Sequence, residues 1–215
     1  VTVPGEHRFE TVASETVYCG AILALRLDQV AMPGGSVAER EVVEHYGAVA
    51  VAALDADDRL VLIRQYRHPV GARLLELPAG LIDKPGEDPL AAAQRELAEE
   101  TGLAAQRWSV LVDIALSPGF TDEALRIYLA EGLADTDRDE PELEEADIEL
   151  VRMSVDDAVR GTLNGEIVNA TAVAGVLALA AARSTGATLR PADAPWDGVP
   201  TAFARRKAAA SNRAE

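Results

Sequence analysis

The strongest constraint on this chain is one helix whose two ends are both marked by local sequence. Asp88 is a good N-cap, Pro89 suits the first helical position, and Gly102 can close the helix with positive φ, so a helix is predicted over Pro89–Thr101. At about 100° per residue, Leu90, Ala93 and Leu97 form one stripe that must pack against a sheet. Glu96, Glu99 and Glu100 fall together on a different face, spaced i, i+3 and i+4. A solvated acidic face is one explanation of that cluster. The other is chemical, because three carboxylates so close repel one another unless cations sit among them. Hard divalent cations with oxygen ligands, Mg²⁺ first and Mn²⁺ second, are the natural occupants.

Around this helix the chain alternates strands with turns. Residues 1–45 read as strands, with 21–31 and 37–46 separated by the turn Met32-Pro33-Gly34-Gly35. Such a hairpin cannot bury its own apolar face, so it must lean on the main body or on another subunit. The apolar runs 47–54 and 60–66, joined by Asp55 to Arg59, form a second hairpin. Residues 74–80 read as one short strand, and 108–116 and 125–130 as two more. Residues 135–149 carry nine acidic side chains in fifteen, interrupted by Pro141, and read as a mobile loop. A strand over 148–153 follows. Ser154 and Asp157 form a capping pair for a helix to about Leu163, and an Ala-rich helix spans 169–183. The tail from 187 onward mixes Pro, Ala and charge and is expected to fray in part. The organisation read from this is a β subdomain over 1–45, a main domain over 46–185 and a tail over 186–215.

Charge and composition exclude several classes of function. A formal net charge of −16 opposes binding to nucleic-acid phosphates or anionic membranes. The single cysteine, Cys19, rules out an intrachain disulfide and a thiolate metal cluster. No apolar run reaches the roughly 18 residues of a membrane span. The polar, charged first ten residues do not read as a signal peptide, so a cytoplasmic location is expected.

The residues flanking the helix carry a family resemblance. Gly80, then Glu87, then Arg95-Glu96-Leu97-Ala98-Glu99-Glu100-Thr101-Gly102-Leu103 resembles the Nudix box, G-x5-E-x7-R-E-U-x-E-E-x-G-U with U aliphatic. The one departure is six residues rather than five between Gly80 and Glu87, in a loop beside Pro85-Gly86 that can absorb one more. The resemblance implies an α/β/α sandwich with a mixed sheet, beside the small antiparallel N-terminal subdomain. It implies Glu96 and Glu100 as principal metal ligands, Glu99 as an additional one, and the Ala79 carbonyl as a further one. Arg95 and Glu87 would form an ion pair that orients the catalytic helix.

Features outside the box resemble the ADP-ribose pyrophosphatase subfamily, most nearly its actinobacterial members. They are Pro118, fifteen residues after Leu103; the N-terminal stretches Gly20-Ala21-Ile22 and Arg40-Glu41-Val42-Val43-Glu44-His45; and Gln65-Tyr66-Arg67 with Glu76-Leu77-Pro78-Ala79-Gly80. The resemblance implies Mg²⁺-dependent cleavage of ADP-ribose to AMP and ribose 5-phosphate, by a homodimer with a swapped N-terminal subdomain. Arg40, Arg67 and Leu81 would bind substrate, Ser117, Pro118, Gly119 and Glu123 would line the terminal ribose, and Ile22 and Leu23 would meet the adenine of the partner subunit's ligand. A glutamate in the acidic loop would be the base, Glu145 first and Glu144 second. His7, His45 and His68 are chemically able but isolated in sequence. Two rival readings are a hydrolase of another nucleoside diphosphate derivative, such as a nucleotide sugar or oxidised nucleotide, and a non-catalytic sensor of ADP-ribose. Retention of all three box glutamates argues against the sensor.

Overall fold

A computed structural model describes residues 5–137 and 146–211 of the 215-residue chain. The chain divides into two compact units: residues 48–114 with 125–197, and residues 1–47 with 115–124 and 198–215.

The larger unit is built on an eight-stranded mixed sheet. Its strands are β4 (Ala48–Leu54), β5 (Arg59–Arg67), β6 (Ala72–Glu76), β7 (Ala79–Leu81), β8 (Leu103–Ala115), β9 (Ala124–Asp135), β10 (Glu149–Ser154) and β11 (Arg190–Pro191). The main path runs β10-β5-β4-β9-β8-β11. The β4 strand pairs antiparallel with β5 and parallel with β9, which makes the sheet mixed. Every residue of β4 is buried, as a central strand covered on both faces requires. Helix α1 (Pro89–Thr101) covers one face, setting Ala92, Ala93 and Leu97 against Val49, Val51, Val61 and Tyr128. Helices α2 (Val155–Asn164) and α3 (Ala170–Thr185) complete the unit. A Cβ on Gly175 of α3 would lie 2.5 Å from Leu77 and 3.4 Å from Ile127. Ile127 points away from the Tyr128 face, because side chains alternate along a strand. The sheet therefore lies between helices on both faces, the α/β/α sandwich expected.

The predicted strand over 74–80 is broken in two. Pro78 has no N–H to give a ladder, so β6 pairs with β5 and β7 moves across to β4, while the Pro78 carbonyl accepts from Val51 N at 2.8 Å. The β8 strand starts at Leu103, directly after the helix cap and five residues before the predicted start.

The second unit holds a three-stranded antiparallel sheet of β1 (Thr11–Cys19), β2 (Leu23–Ala31) and β3 (Val37–His45). Part of the stretch expected to fray instead forms α4 (Ala202–Ser211), which packs on β3. Phe203 is fully buried edge-on to Tyr46, with ring centroids 4.7 Å apart. Arg206 donates to both oxygens of buried Glu44, at 2.6 and 3.0 Å. Arg26 pairs with the same carboxylate, and together the two guanidiniums hold Glu44 below the usual carboxylate range against its burial.

Candidate active site

Helix α1 is fixed at both ends. The Asp88 carboxylate accepts the Leu90 and Ala91 N–H groups at 3.0 Å, and Gly102 (φ 68°) donates to the Ala98 carbonyl at 2.8 Å. Its apolar stripe sets the rotation, and that rotation brings Glu96 and Glu100, one turn apart, to the backbone of β7. The buried Glu100 carboxylate accepts the Ala79 N–H at 2.8 Å. Beside it, the Glu96 carboxyl occupies the space where Gly80 lacks a side chain, since a Cβ there would stand 2.0 to 2.4 Å from its atoms. Gly80 is thus required by close approach, not by backbone conformation.

Arg95 ties the preceding loop to the helix. It grips Glu87 with two parallel bonds of 2.9 Å, reaches Glu96 at 2.5 Å and Glu99 at 2.8 Å, and donates to the Leu81 carbonyl at 3.2 Å. Its hydrogen bonds hold Glu87 below the usual carboxylate range. The extra residue between Gly80 and Glu87 sits by a turn closed from Glu87 N to the Lys84 carbonyl at 3.1 Å, with Gly86 at φ 78°. Lys84 also lies 3.6 Å from Glu99.

Burial pushes the Glu100 carboxyl up to about 8, against the Ala79 hydrogen bond and with help from Glu96. Burial also raises Glu96, although Arg95 opposes it. Two desolvated carboxylates that resist ionisation, side by side at the Ala79–Gly80 backbone, fit a hard divalent cation. Among the described residues no three acidic, His or Cys side chains enclose an ion by themselves.

Arg67 lies in the same unit. Its guanidinium makes a bidentate pair with Glu76, Nε to Oε1 at 3.0 Å and Nη2 to Oε2 at 2.6 Å, and Gln65 donates to the same carboxylate at 3.1 Å. Both partners act on Glu100, Arg67 favouring its charge and Glu76 opposing it. Glu76 is almost wholly buried and was assigned no role from sequence, although it stands in the quoted Glu76-Leu77-Pro78-Ala79-Gly80 segment. Ala79, Leu81, Arg67, Glu96, Glu99 and Glu100 therefore all belong to the larger unit.

The other expected residues lie in the second unit. Arg40, on β3, donates to the Glu39 carbonyl at 2.8 Å. Ile22 is half exposed in the turn before β2, and Leu23 pairs with His45. Ser117 carries a positive φ of 45°, unusual for a residue with a Cβ, in the turn that holds Pro118 and Gly119. That turn is bound to β3 by Val43 N to the Phe120 carbonyl at 2.7 Å and by His45 N to Asp122 at 2.8 Å. Glu123 stands 3.8 Å from His45 Nδ1. The Tyr46 carbonyl, 2.8 Å from the same nitrogen, can only accept, so Nδ1 carries a proton. Glu144 and Glu145 lie outside the described residues.

The NUDIX domain family matches residues 43–173, and the nucleoside diphosphate sugar hydrolase N-terminal domain matches residues 9–43. The chain is 53% identical over 203 residues to an ADP-ribose pyrophosphatase of Mycobacterium tuberculosis, covering 94% of this chain and 98% of the relative. It is 34% identical to an ADP-ribose pyrophosphatase of Bacillus subtilis, covering 75% of this chain and 86% of that one. A crystal structure of an ADP compounds hydrolase superposes with a TM-score of 0.72 at 25% identity, covering 84% of this chain and 97% of its own. With the box residues assembled on α1 and β7 and the domain matched along most of the sheet, this chain belongs to the Nudix hydrolase family.

Proposed function

We propose that this enzyme hydrolyses the pyrophosphate linkage of ADP-ribose to AMP and ribose 5-phosphate with Mg²⁺, or Mn²⁺ in its place. The observation that carries the reading is the pair of desolvated carboxylates, Glu96 and Glu100, pressed against the Ala79–Gly80 backbone. The likeness to two ADP-ribose pyrophosphatases supports ADP-ribose as the substrate. Glu96, Glu100 and the Ala79 carbonyl would hold the cation, with Glu99 as a further ligand. Bound there, it would neutralise charge on the phosphate oxygens and lower the pKa of water.

The remaining work falls to side chains. Arg95 keeps Glu96 and Glu99 in place from behind. Arg67 and Arg40 bind anionic oxygens of the substrate, Leu81 lies beside it, and Ser117, Pro118, Gly119 and Glu123 meet the terminal ribose. Ile22 and Leu23 contact the adenine bound by the partner subunit. Glu145, or failing it Glu144, takes the proton from water as its oxygen bonds to one phosphorus and the bridging P–O bond breaks. The enzyme works as a cytoplasmic homodimer; no helix among the described residues is long and apolar enough to cross a membrane.

The match of residues 9–43 to a nucleoside diphosphate sugar hydrolase domain favours nucleotide sugars as a second reading. A panel of ADP-ribose, ADP-glucose, UDP-glucose and oxidised nucleotides decides between them. Higher kcat/KM for ADP-ribose is expected, and preference for a non-adenine diphosphate would overturn the substrate assignment alone.

Gly80→Ala should leave the melting temperature nearly unchanged, because the atoms it displaces are the terminal carboxyl of Glu96, which side-chain rotation can move aside. Turnover should fall about 10- to 100-fold, since misplacing a catalytic group by about 1 Å can cost about 10²-fold. Thermal melts paired with steady-state rates check this. Wild-type turnover would mean Glu96 serves from another position.

Shared sites across a dimer make a further prediction. Ile22→Asp and Glu100→Gln chains, each of low activity alone, should regain activity when co-refolded, because one site in each heterodimer then has both residues intact. A chain that sediments as a monomer, or a mixture that gains nothing, would refute shared sites.

A further inference from the structure

A concavity not used by this chemistry lies at the far end of β5. It has a volume of about 640 Å³ and is lined by Arg59, Arg152, Arg160, Asp157, Asn164 and Glu166, among others. Arg59 begins β5 and Arg67 ends it, so eight steps of about 3.3 Å put this concavity roughly 26 Å from the Arg67–Glu76 pair. Ser154 pairs with Arg59 across the strands, and therefore Arg152, two residues earlier on β10, shares the face of Arg59. Asp157, Arg160 and Asn164 recur at i, i+3 and i+7, on one face of α2.

The arginines are held with donors to spare. Asp55 accepts the backbone N–H groups of Asp57 and Arg59, at 3.0 and 2.9 Å, and Arg59 Nε at 3.1 Å. Arg59 Nη2 reaches Asp57 at 2.8 Å. Arg152 Nε stands 3.7 Å from the Asp55 carboxylate, too far for a hydrogen bond. Among the described residues the guanidinium makes none, and the side chain is 39% exposed. Arg160 commits one nitrogen to Asp157, at 2.5 Å. Three guanidiniums arriving from β5, β10 and α2 suit a multi-oxygen anion. Asp157 and Glu166 would repel a bare anion, yet both accept from hydroxyls, and the Asn164 amide can also donate. Cation and acid together select a ligand with an anionic end and a hydroxylated end. The volume lies within the range of small-molecule sites.

We propose that this concavity binds a small phosphomonoester bearing hydroxyl groups, with Arg152, Arg59 and Arg160 on the phosphate and Asp157, Glu166 and Asn164 on the hydroxyls. The inference stands apart from the proposed reaction, and its test is run without metal so that the two fail separately.

The test is titration of the full chain with ribose 5-phosphate in EDTA, followed by ¹H–¹⁵N NMR. Saturable shifts are expected at residues 152–166, with inorganic phosphate binding more weakly and free ribose producing no shift. Arg152→Ala with Arg160→Ala should weaken binding at least about tenfold, while turnover at the Nudix site stays unchanged. Should that double variant melt early, Arg160→Ala alone, at a largely exposed side chain, should still weaken binding measurably. Absence of shifts at 152–166, shifts confined to α1, or wild-type affinity in the variants would overturn the site. Inorganic phosphate binding as tightly as the sugar phosphate would overturn recognition of hydroxyls.

Discussion

Glu100→Gln should lower turnover by about 10²- to 10³-fold while leaving the metal-free fold as stable as wild type or more so. The catalytic loss follows from metal-ion stabilisation, several kcal/mol in such reactions, at about 1.4 kcal/mol per factor of ten. Glutamine keeps an oxygen to accept the Ala79 N–H, so the geometry of β7 survives. What disappears is a buried carboxyl that must give up its proton to hold the cation. Glu96→Gln should behave alike in turnover, but it also removes a partner of Arg95. Calorimetric Mg²⁺ titration beside single-turnover rates separates loss of metal from loss of chemistry.

The same burial sets a pH dependence. Glu100 holds its proton in the folded chain up to about 8, whereas the unfolded group releases it near the ordinary value of 4.5. Between those values the folded state binds more protons, so stability of the metal-free protein falls as pH rises through this window. Melts in EDTA from pH 5 to 8.5 should show the decline, Glu100→Gln should flatten it, and Mg²⁺ should stabilise wild type more at pH 8 than at pH 6. A wild-type slope equal to that of Glu100→Gln would mean the carboxylate is solvated and not poised for a cation.

Glu145→Gln should lower kcat by about 10²- to 10⁴-fold, the usual cost of losing a general base, with affinity for Mg²⁺ and ADP-ribose nearly intact. The split follows from the proposed role, because a base acts on water and is not needed to hold the cation. Loss of turnover in Glu144→Gln with none in Glu145→Gln would move the role to Glu144. If neither mattered, the base would lie elsewhere than in this stretch.

What could be read in the sequence was local. Asp88, Pro89 and Gly102 specify the ends of α1 within one turn of themselves, and helical spacing then places Glu96 and Glu100 together. Arg95 with Glu87 was legible from the box and forms as expected. Structure dictated by distant partners was not legible. Residues 104–107 carry no β-branched side chain, yet they extend β8. Among Ala, Arg and Lys, the only strong signal in α4 is Phe203, whose partner Tyr46 and whose neighbour's partner Glu44 lie more than a hundred residues upstream. Gly80 was legible as the first position of the box, but the reason it must be glycine shows only in the carboxyl that fills its side-chain space. The same holds for Glu76, which needs Arg67 and Gln65 of a neighbouring strand to be identified as a buried acceptor.

Chromatography of the products formed from ADP-ribose, with Mg²⁺ and then with EDTA in excess, tests the central claim most directly. AMP and ribose 5-phosphate should appear in equal amounts with Mg²⁺, cease to form in EDTA, and reappear when Mg²⁺ or Mn²⁺ is restored. Undiminished product in chelator, or products cut anywhere other than the pyrophosphate, would contradict it.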